Sequence, residues 1–293
     1  MNWHLISKHI EQATGNAFKI ISAQALSGGD INAAYHLKSA DQSYFIKLNS
    51  SDLITMFEAE FVGLQEIAYT DTIAVPHPIV YGKTDHQAFL VLEYIEFSRA
   101  SKVSDKLLGQ QLALLHQKCQ GYYGWSRNNT IGITLQINTP QQNWQSFWRD
   151  NRLVFQLNLA VKNGYDGRLQ TLGEQLCNDM AALFAGHAVQ ASLLHGDLWA
   201  GNAAVDKQGQ PVIFDPACYY GDREADIAMT ELFGGFSDDF YASYQQVWPL
   251  DEGYKTRKNL YNLYHILNHL NMFGGGYLKQ AENIMAQLIA EIR

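Results

Sequence analysis

Apolar and polar residues alternate from Phe18 to Leu48, and this period of two predicts strands at 19–24, 34–38 and 43–48. Ser27-Gly28-Gly29-Asp30 supplies a turn between the first two, and Ala40-Asp41-Gln42 a turn before the third. The period then changes. Over 56–68 (MFEAEFVGLQEIA) Phe57, Phe61, Leu64 and Ile67 fall on one face of a helix, which Val75-Pro76 and Pro78 bring to an end. Ile79-Val80-Tyr81 and 88–93 read as a hairpin, and residues 2–13 as a short helix ended by Gly15. Residues 1–96 are therefore expected to form a small β-rich lobe with one internal helix.

From residue 97 onward the helical period dominates. Ser104 is placed to cap a helix running to Lys118, with Leu107, Leu108, Leu112 and Leu115 turned inward. Further helices are expected at 141–162, 167–185, 223–232, 237–245, 255–270 and 277–292. One interruption stands apart: 192–197 and 211–215 read as two short strands bracketing a turn at 206–209, with polar residues at their ends. The pattern predicts an α+β chain in two lobes, 1–96 and 97–293, with a cleft between them where ligands bind.

The composition fits a folded chain. Of 293 residues 47% are hydrophobic and 17% charged, the reverse of a disordered balance. The formal net charge of −8 repels phosphate backbones, so a nucleic-acid partner is not expected. Cys119, Cys177 and Cys218 are an odd number at wide spacing without a CxxC pair, which suits a reduced intracellular protein with neither disulfide framework nor zinc site. The N-terminus has no unbroken apolar run, and the apolar stretch 88–95 is too short to cross a bilayer and contains Glu93. A cytoplasmic location without a membrane partner is the expectation.

The strongest chemical signal is His195-Gly196-Asp197-Leu198-Trp199-Ala200-Gly201-Asn202 followed by Ile213-Phe214-Asp215. A lone HGD reads equally well as a tight turn. The added Asn202 and Asp215 change that: an amide oxygen and a carboxylate suit Mg²⁺, which takes oxygen ligands and few of them from protein. Asp197, five residues before Asn202, is placed to accept the proton of an acceptor hydroxyl. This is the Asp-to-Asn spacing of the protein-kinase catalytic loop, with Asp215 at the metal-aspartate position. Lys47 lies in an apolar strand, where a buried ammonium needs a partner, and in such sites it holds phosphates and pairs with a helix glutamate. Glu58 and Glu60 are on different helix faces, and Glu60, four residues before Leu64, is the inward one.

Other features say less. Ser27-Gly28-Gly29-Asp30-Ile31-Asn32 offers backbone N–H groups to phosphates, with Gly28, Gly29 and Asn32 as candidates, but it matches neither GxGxxG nor the Walker sequence. His265 and His269 are one helical turn apart without the glutamate of HExxH, so zinc is not expected. Trp144, Phe147 and Trp148 read as core. Trp199 lies inside the catalytic loop, where its ring is suited to stack on a sugar or an amine.

Taken together these segments resemble the fructosamine kinase (ketosamine-3-kinase) family, relatives of aminoglycoside and choline phosphotransferases with a bilobal protein-kinase-like fold. LLHGDLWAGN (193–202) and IFDPACYYGDREADIAM (213–229) carry the resemblance most specifically, and MFEAEFVGL, VPHPIVYG, LGQQLALLH, YYGW, WQSFWRDNRL and FGGGYL extend it over nearly the whole chain. The resemblance implies transfer of the γ-phosphate of ATP, with Mg²⁺, to the 3-hydroxyl of a small-molecule or protein-linked ketosamine, by a monomer or weak homodimer. The product is unstable and frees the amine, a repair of glycation, and bacterial-looking members resemble ribulosamine or erythrulosamine kinases. It implies Asp197 as base, Asn202 and Asp215 as metal ligands, and Lys47 and Glu60 as the phosphate pair. Glu93, Tyr94 and Ile95 would be the hinge that meets adenine, with Asp222 and Arg223 as possible substrate contacts beside a structural role. Asp30 stands where some relatives have a redox-active cysteine, so no such switch is expected, and Ser27 stands where relatives often have another glycine. Kinases of other small hydroxyl compounds share the motif, and a nucleotide-binding pseudokinase is the alternative of a different class.

Overall fold

The structure, a computed structural model, describes residues 2–27 and 31–292. Helix α1 (Trp3–Thr14) is capped by Asn2, whose side chain accepts the Leu5 N–H at 3.1 Å, and it ends at Gly15 with φ 72°. Strands β1 (Ser22–Leu26), β2 (Ala33–Lys38) and β3 (Ser43–Ser50) lead into α2 (Ile54–Tyr69), and β4 (Pro78–Lys83) and β5 (Gln87–Glu93) follow. The five strands form one antiparallel sheet in the order β1-β2-β3-β5-β4. Strand β5, between β3 and the edge strand β4, is buried on both faces. Phe89 and Val91 join Ile6, Ile10 and Phe18 on the α1 side, and Ala88, Leu90 and Leu92 join Met56, Phe57 and Leu64 on the α2 side. The same alternation turns Lys47, paired with Leu90 in register, toward α2. The first strand starts at Ser22 rather than at residue 19, because Phe18 is drawn fully into the core by an extended lead-in.

The remainder runs β6 (Phe97–Ser98), α3 (Lys102–His116), β7 (Cys119–Gln120), β8 (Asn129–Ile131), β9 (Thr134–Gln136), α4 (Trp144–Trp148), α5 (Phe155–Lys162), α6 (Arg168–Asp179), β10 (Ala191–Leu194), β11 (Ala203–Asp206), β12 (Pro211–Ile213), β13 (Tyr219–Gly221), α7 (Glu224–Leu232), α8 (Asp238–Val247), α9 (Tyr254–Phe273) and α10 (Gly276–Ile292). Helix α9 is the central post. Leu260, Tyr261, Leu263, Tyr264, Ile266, Leu267 and Leu270 are all buried, as in a helix surrounded by others. Among the described residues no helix is long and apolar enough to cross a membrane.

Three expectations are corrected here. Ser101, not Ser104, caps α3; Ser104 sits at the third helical position and bonds back to the Ser101 N–H at 2.8 Å, closing a reciprocal box. The helix expected at 141–162 is broken: a widened π turn at Arg149–Val154 separates α4 from α5. That turn carries Arg152, fully buried, with its guanidinium 4.3 Å from the Tyr219 ring and 4.8 Å from the Phe147 ring and donating to Ile137 O at 2.5 Å. Finally, the strand expected at 192–197 stops at Leu194 and pairs with β13 and β7, while the 206–209 turn joins β11 to β12. The chain between β10 and β11 is loop.

Helix α2 is tied to the larger lobe at three points. Trp125 donates to Glu66 at 2.6 Å, Arg127 pairs with Glu58 at 2.9 Å, and the Cys218 thiol donates to the Gly63 carbonyl at 3.7 Å. Gly63 permits the last contact, since a Cβ there would stand 3.1 Å from the Cys218 sulfur.

Candidate active site

The loop leaving β10 is held by its own backbone. Asp226, in the first turn of α7, accepts the His195 N–H at 2.7 Å and the Gly196 N–H at 2.8 Å. Gly196 turns the chain with φ 81°, and a Cβ there would meet the Ala217 carbonyl oxygen at 2.1 Å, so only glycine fits. The His195 ring bridges to the metal-aspartate segment: Nε2 donates to the Phe214 carbonyl at 2.9 Å, and Nδ1 accepts the Asp197 N–H at 3.2 Å. Those roles require a neutral ring, and burial pushes its pKa down accordingly.

Behind Asp226 lies a relay of polar groups. His116 Nε2 donates to its carboxylate at 3.2 Å, Tyr244 donates to His116 Nδ1 at 2.8 Å, and Arg223 donates to Tyr244 at 3.0 Å. Burial would raise the Asp226 pKa, but the hydrogen bonds from His116 and the Gly196 N–H bring it below the ordinary aspartate value.

Asp197 and Asn202 meet within this loop. The Asn202 amide donates to the Asp197 carbonyl at 2.9 Å and to its carboxylate at 3.4 Å. This spends the amide nitrogen and leaves the Asn202 side-chain oxygen as a free acceptor among the described residues. Phe214 N–H bonds Asn202 O at 3.0 Å, which brings Asp215 alongside. Asp215 has φ 58°, a left-handed conformation that a non-glycine residue rarely takes, and its side chain is 44% exposed. The Asp197 carboxyl is pushed well up by burial and by the nearby Asp215 and Asp226 carboxylates, which makes it a strong proton acceptor.

Lys47 reaches across from the sheet. Its ammonium lies 2.7 Å from Glu60 and 2.5 Å from Asp215, and the side chain is 6% exposed. Burial alone would pull its pKa down, but Asp215 and Glu60 hold it well above the ordinary value, so it is a fixed cation. Burial pushes Glu60 up against the pull of Lys47. Glu58 faces the other way, onto Arg127. Asn202 oxygen and the second Asp215 oxygen form an all-oxygen donor pair beside a cation, which fits Mg²⁺ and a polyphosphate.

The other expected residues divide. Gly28 and Gly29, like Asp30, lie outside the described residues. Asn32 accepts from the Asn49 amide at 2.8 Å, a brace within the small lobe. Glu93 ends β5 and accepts the His77 N–H at 3.1 Å, and the Tyr94 ring stacks on His36 at 3.7 Å. Among the described residues nothing bonds the backbone of Tyr94 or Ile95, which leaves both with free donors and acceptors at the lobe junction. Trp199 is 39% exposed beside Asp197. Asp222 and Arg223 are 2% and 9% exposed and engaged inside the larger lobe, in keeping with the structural side of the two roles expected of them. Asp222 accepts from His187 and Tyr261 at 2.7 and 2.6 Å; Arg223 donates to Tyr244 and to the Trp248 and Pro249 carbonyls.

Asp226 enters the sequence reading only within the family-like stretch 213–229, and Asn129 and Gln136 do not enter it. Gln136 donates to the Ala217 carbonyl at 3.0 Å and Asn129 to the Cys218 carbonyl at 2.8 Å, fixing the chain just past Asp215. The available signal was a carboxylate inside the apolar run Ala225–Met229, which a buried helix tolerates only with partners.

Comparisons with known proteins agree over the full length. The sequence profile of the fructosamine kinase family matches residues 2–291. A Synechocystis protein assigned as a ketoamine kinase is 44% identical over 98% of this chain and 97% of its own length. The chloroplastic protein-ribulosamine 3-kinase of Arabidopsis thaliana is 41% identical over 92% of this chain and 83% of its own. A crystal structure assigned as a fructosamine-3-kinase of Haemophilus somnus superposes with a TM-score of 0.90 at 29% identity, covering 98% of this chain and 97% of the other. Choline kinase of Streptococcus pneumoniae, at 14% identity, 99% coverage of each chain and a TM-score of 0.64, shares the fold, and so do aminoglycoside phosphotransferases. The chain belongs to the fructosamine kinase family.

Proposed function

We propose that the chain transfers the γ-phosphoryl group of ATP to the 3-hydroxyl of ketosamines, with ribulosamine and erythrulosamine adducts ahead of fructosamine. The observation that carries this is the meeting of Lys47, Asp215, Asn202 and Asp197 at one cleft in a chain of this family. Asp197 takes the proton of the acceptor hydroxyl as its oxygen bonds to the γ-phosphorus, and the bond to ADP breaks. Lys47, held by Glu60, binds the α- and β-phosphates. Asn202 and Asp215 would hold Mg²⁺, which when bound neutralises triphosphate charge. Free backbone groups at Tyr94 and Ile95 suit the adenine edge. Residues 1–96 thus serve the nucleotide, and 97–293 supply the catalytic and metal-holding groups and the acceptor site.

A phosphate at C3 is a better leaving group than hydroxyl. The 1,2-enaminol of the product expels it, and hydrolysis of the resulting imine frees the amine. We place the protein in the cytoplasm as a monomer or weak dimer, consistent with three free cysteines of which two are buried.

The test is a phosphate-transfer screen with ATP against ribulose, erythrulose and fructose adducts of one amine, beside free sugars and aminoglycosides. Turnover of the pentulose and tetrulose adducts is expected to lead. Activity confined to free sugars or aminoglycosides refutes the proposal.

A further inference from the structure

Beyond Trp199 runs a strip of rings that phosphoryl transfer does not use. Phe233, just past the end of α7, meets Trp199 edge-on with centroids 6.3 Å apart. His269 of α9 lies 5.0 Å from Phe233, and Phe273 and Tyr277 lie 5.4 and 5.2 Å from His269. Helices α7 and α9 both stop here: Gly234 and Gly274 follow the two phenylalanines with φ 94° and 88°, so neither helix continues over the rings. Phe273 is 59% exposed, although a large apolar ring gains most by burial.

The strip also holds an acceptor. His269 Nδ1 contacts the His265 carbonyl at 2.8 Å, and a carbonyl only accepts, so the ring hydrogen is on Nδ1 in the neutral form. Nε2 is then a lone-pair acceptor that no described residue occupies.

The chemistry of the substrate says what belongs there, and this step rests on the ketosamine reading. The nitrogen of a ketosamine is on C1 and the phosphorylated hydroxyl on C3. With that hydroxyl at Asp197, the nitrogen lies only two carbons away, and the half-exposed Trp199, two residues on and in ring contact with Phe233, offers what it carries a route to the strip. We propose that Phe233, His269, Phe273 and Tyr277 form the subsite for this amine arm, an alkylammonium with an apolar stem such as the lysine side chain of a glycated peptide. The ammonium, on C1 of the sugar, stays at the Trp199 end, the apolar stem lies along the strip, and His269 Nε2 accepts an N–H of the arm. The subsite makes the enzyme selective for the amine as well as for the sugar.

The test compares kcat and KM for ribulose adducts of Nα-acetyl-lysinamide and of methylamine in wild type, Phe273→Ala and Phe233→Leu. The exposed Phe273 side chain can be removed without opening the core. The ratio of kcat/KM, long arm over short, is expected to fall about tenfold in Phe273→Ala, through KM. An unchanged ratio in both variants overturns the proposal, and so does an equal fall for both adducts. Hexylammonium binding, read by calorimetry, tests the strip without turnover: about tenfold weaker binding to Phe273→Ala supports it, and equal binding overturns it. Wild type that binds hexylammonium but phosphorylates no ketosamine overturns the acceptor reading alone.

Discussion

Replacing Asp226 by Asn keeps the size of the side chain and removes its charge. The native carboxylate accepts the His195 and Gly196 N–H groups at 2.7 and 2.8 Å, and His116 at 3.2 Å. An amide has one oxygen. Whichever way it turns, its NH₂ faces one of the loop N–H groups, donor against donor, in a site where Asp226 is 1% exposed. A buried donor left unpaired costs about 1–3 kcal/mol, and the bonds that remain lose charge assistance worth about 1 kcal/mol, so a loss of about 3 kcal/mol is expected. For a chain of this size that lowers Tm by about 6–12 °C. The loop carries Asp197, and a displacement of about 1 Å at a reacting group costs about a hundredfold in rate. Single-turnover kinetics at a temperature where the variant is folded should show that drop in kcat, while the KM for ATP, set from Lys47, moves only a few-fold. The stability gap has a pH signature. The folded pKa of Asp226 is depressed, so its contribution is complete above the unfolded value and is lost as pH falls through the folded one. The gap should be full at pH 7 and close below about pH 4. An unchanged kcat per folded molecule would refute the positioning role even if Tm fell.

Asp197→Asn should lower kcat by about 10²–10⁴-fold with ATP affinity kept, checked by turnover beside nucleotide titration; unchanged turnover removes Asp197 as the base. Gly196→Ala should give an inactive and destabilised protein, because its Cβ would strike the Ala217 carbonyl at 2.1 Å; a wild-type melting curve with normal turnover contradicts the reading of the turn. His187 lies between Asp222 at 2.7 Å and Asp251 at 2.6 Å, both ring nitrogens facing carboxylates. Burial opposes its charge, but the bond to Asp222 and the charges of Asp222 and Glu224 win over Arg257 and raise its pKa. Its stabilisation is therefore complete below the unfolded value and is lost as pH rises through the folded one. The Tm difference between wild type and His187→Gln should be wider at pH 6 than at pH 9, and a gap that widens toward alkali would be the wrong sign.

The parts legible in the sequence were those written locally. Alternation placed β2 and β3, the helical period placed α2, and the spacing of Asp197, Asn202 and Asp215 placed three polar groups in one loop system. What escaped was set by partners far along the chain. Nothing near Arg223 announces Trp248 and Pro249, whose carbonyls occupy its guanidinium, and nothing near Asp222 announces Tyr261. The break after Trp148 follows from the ring cluster around Arg152, which includes Tyr219 and Tyr264. Strand β10 found β13 and not β12 because register is decided in three dimensions.

The three ties on α2 bear on how such an enzyme is governed. In a kinase whose glutamate-bearing helix swings free, activity waits for some event to push that helix inward. Here Trp125, Arg127 and Cys218 already fasten it, and the Lys47–Glu60 pair stands assembled with no modification. The contacts that set the glutamate against its lysine are thus written into the fold itself, supplied by the neighbouring lobe where other kinases draw them from a separate event.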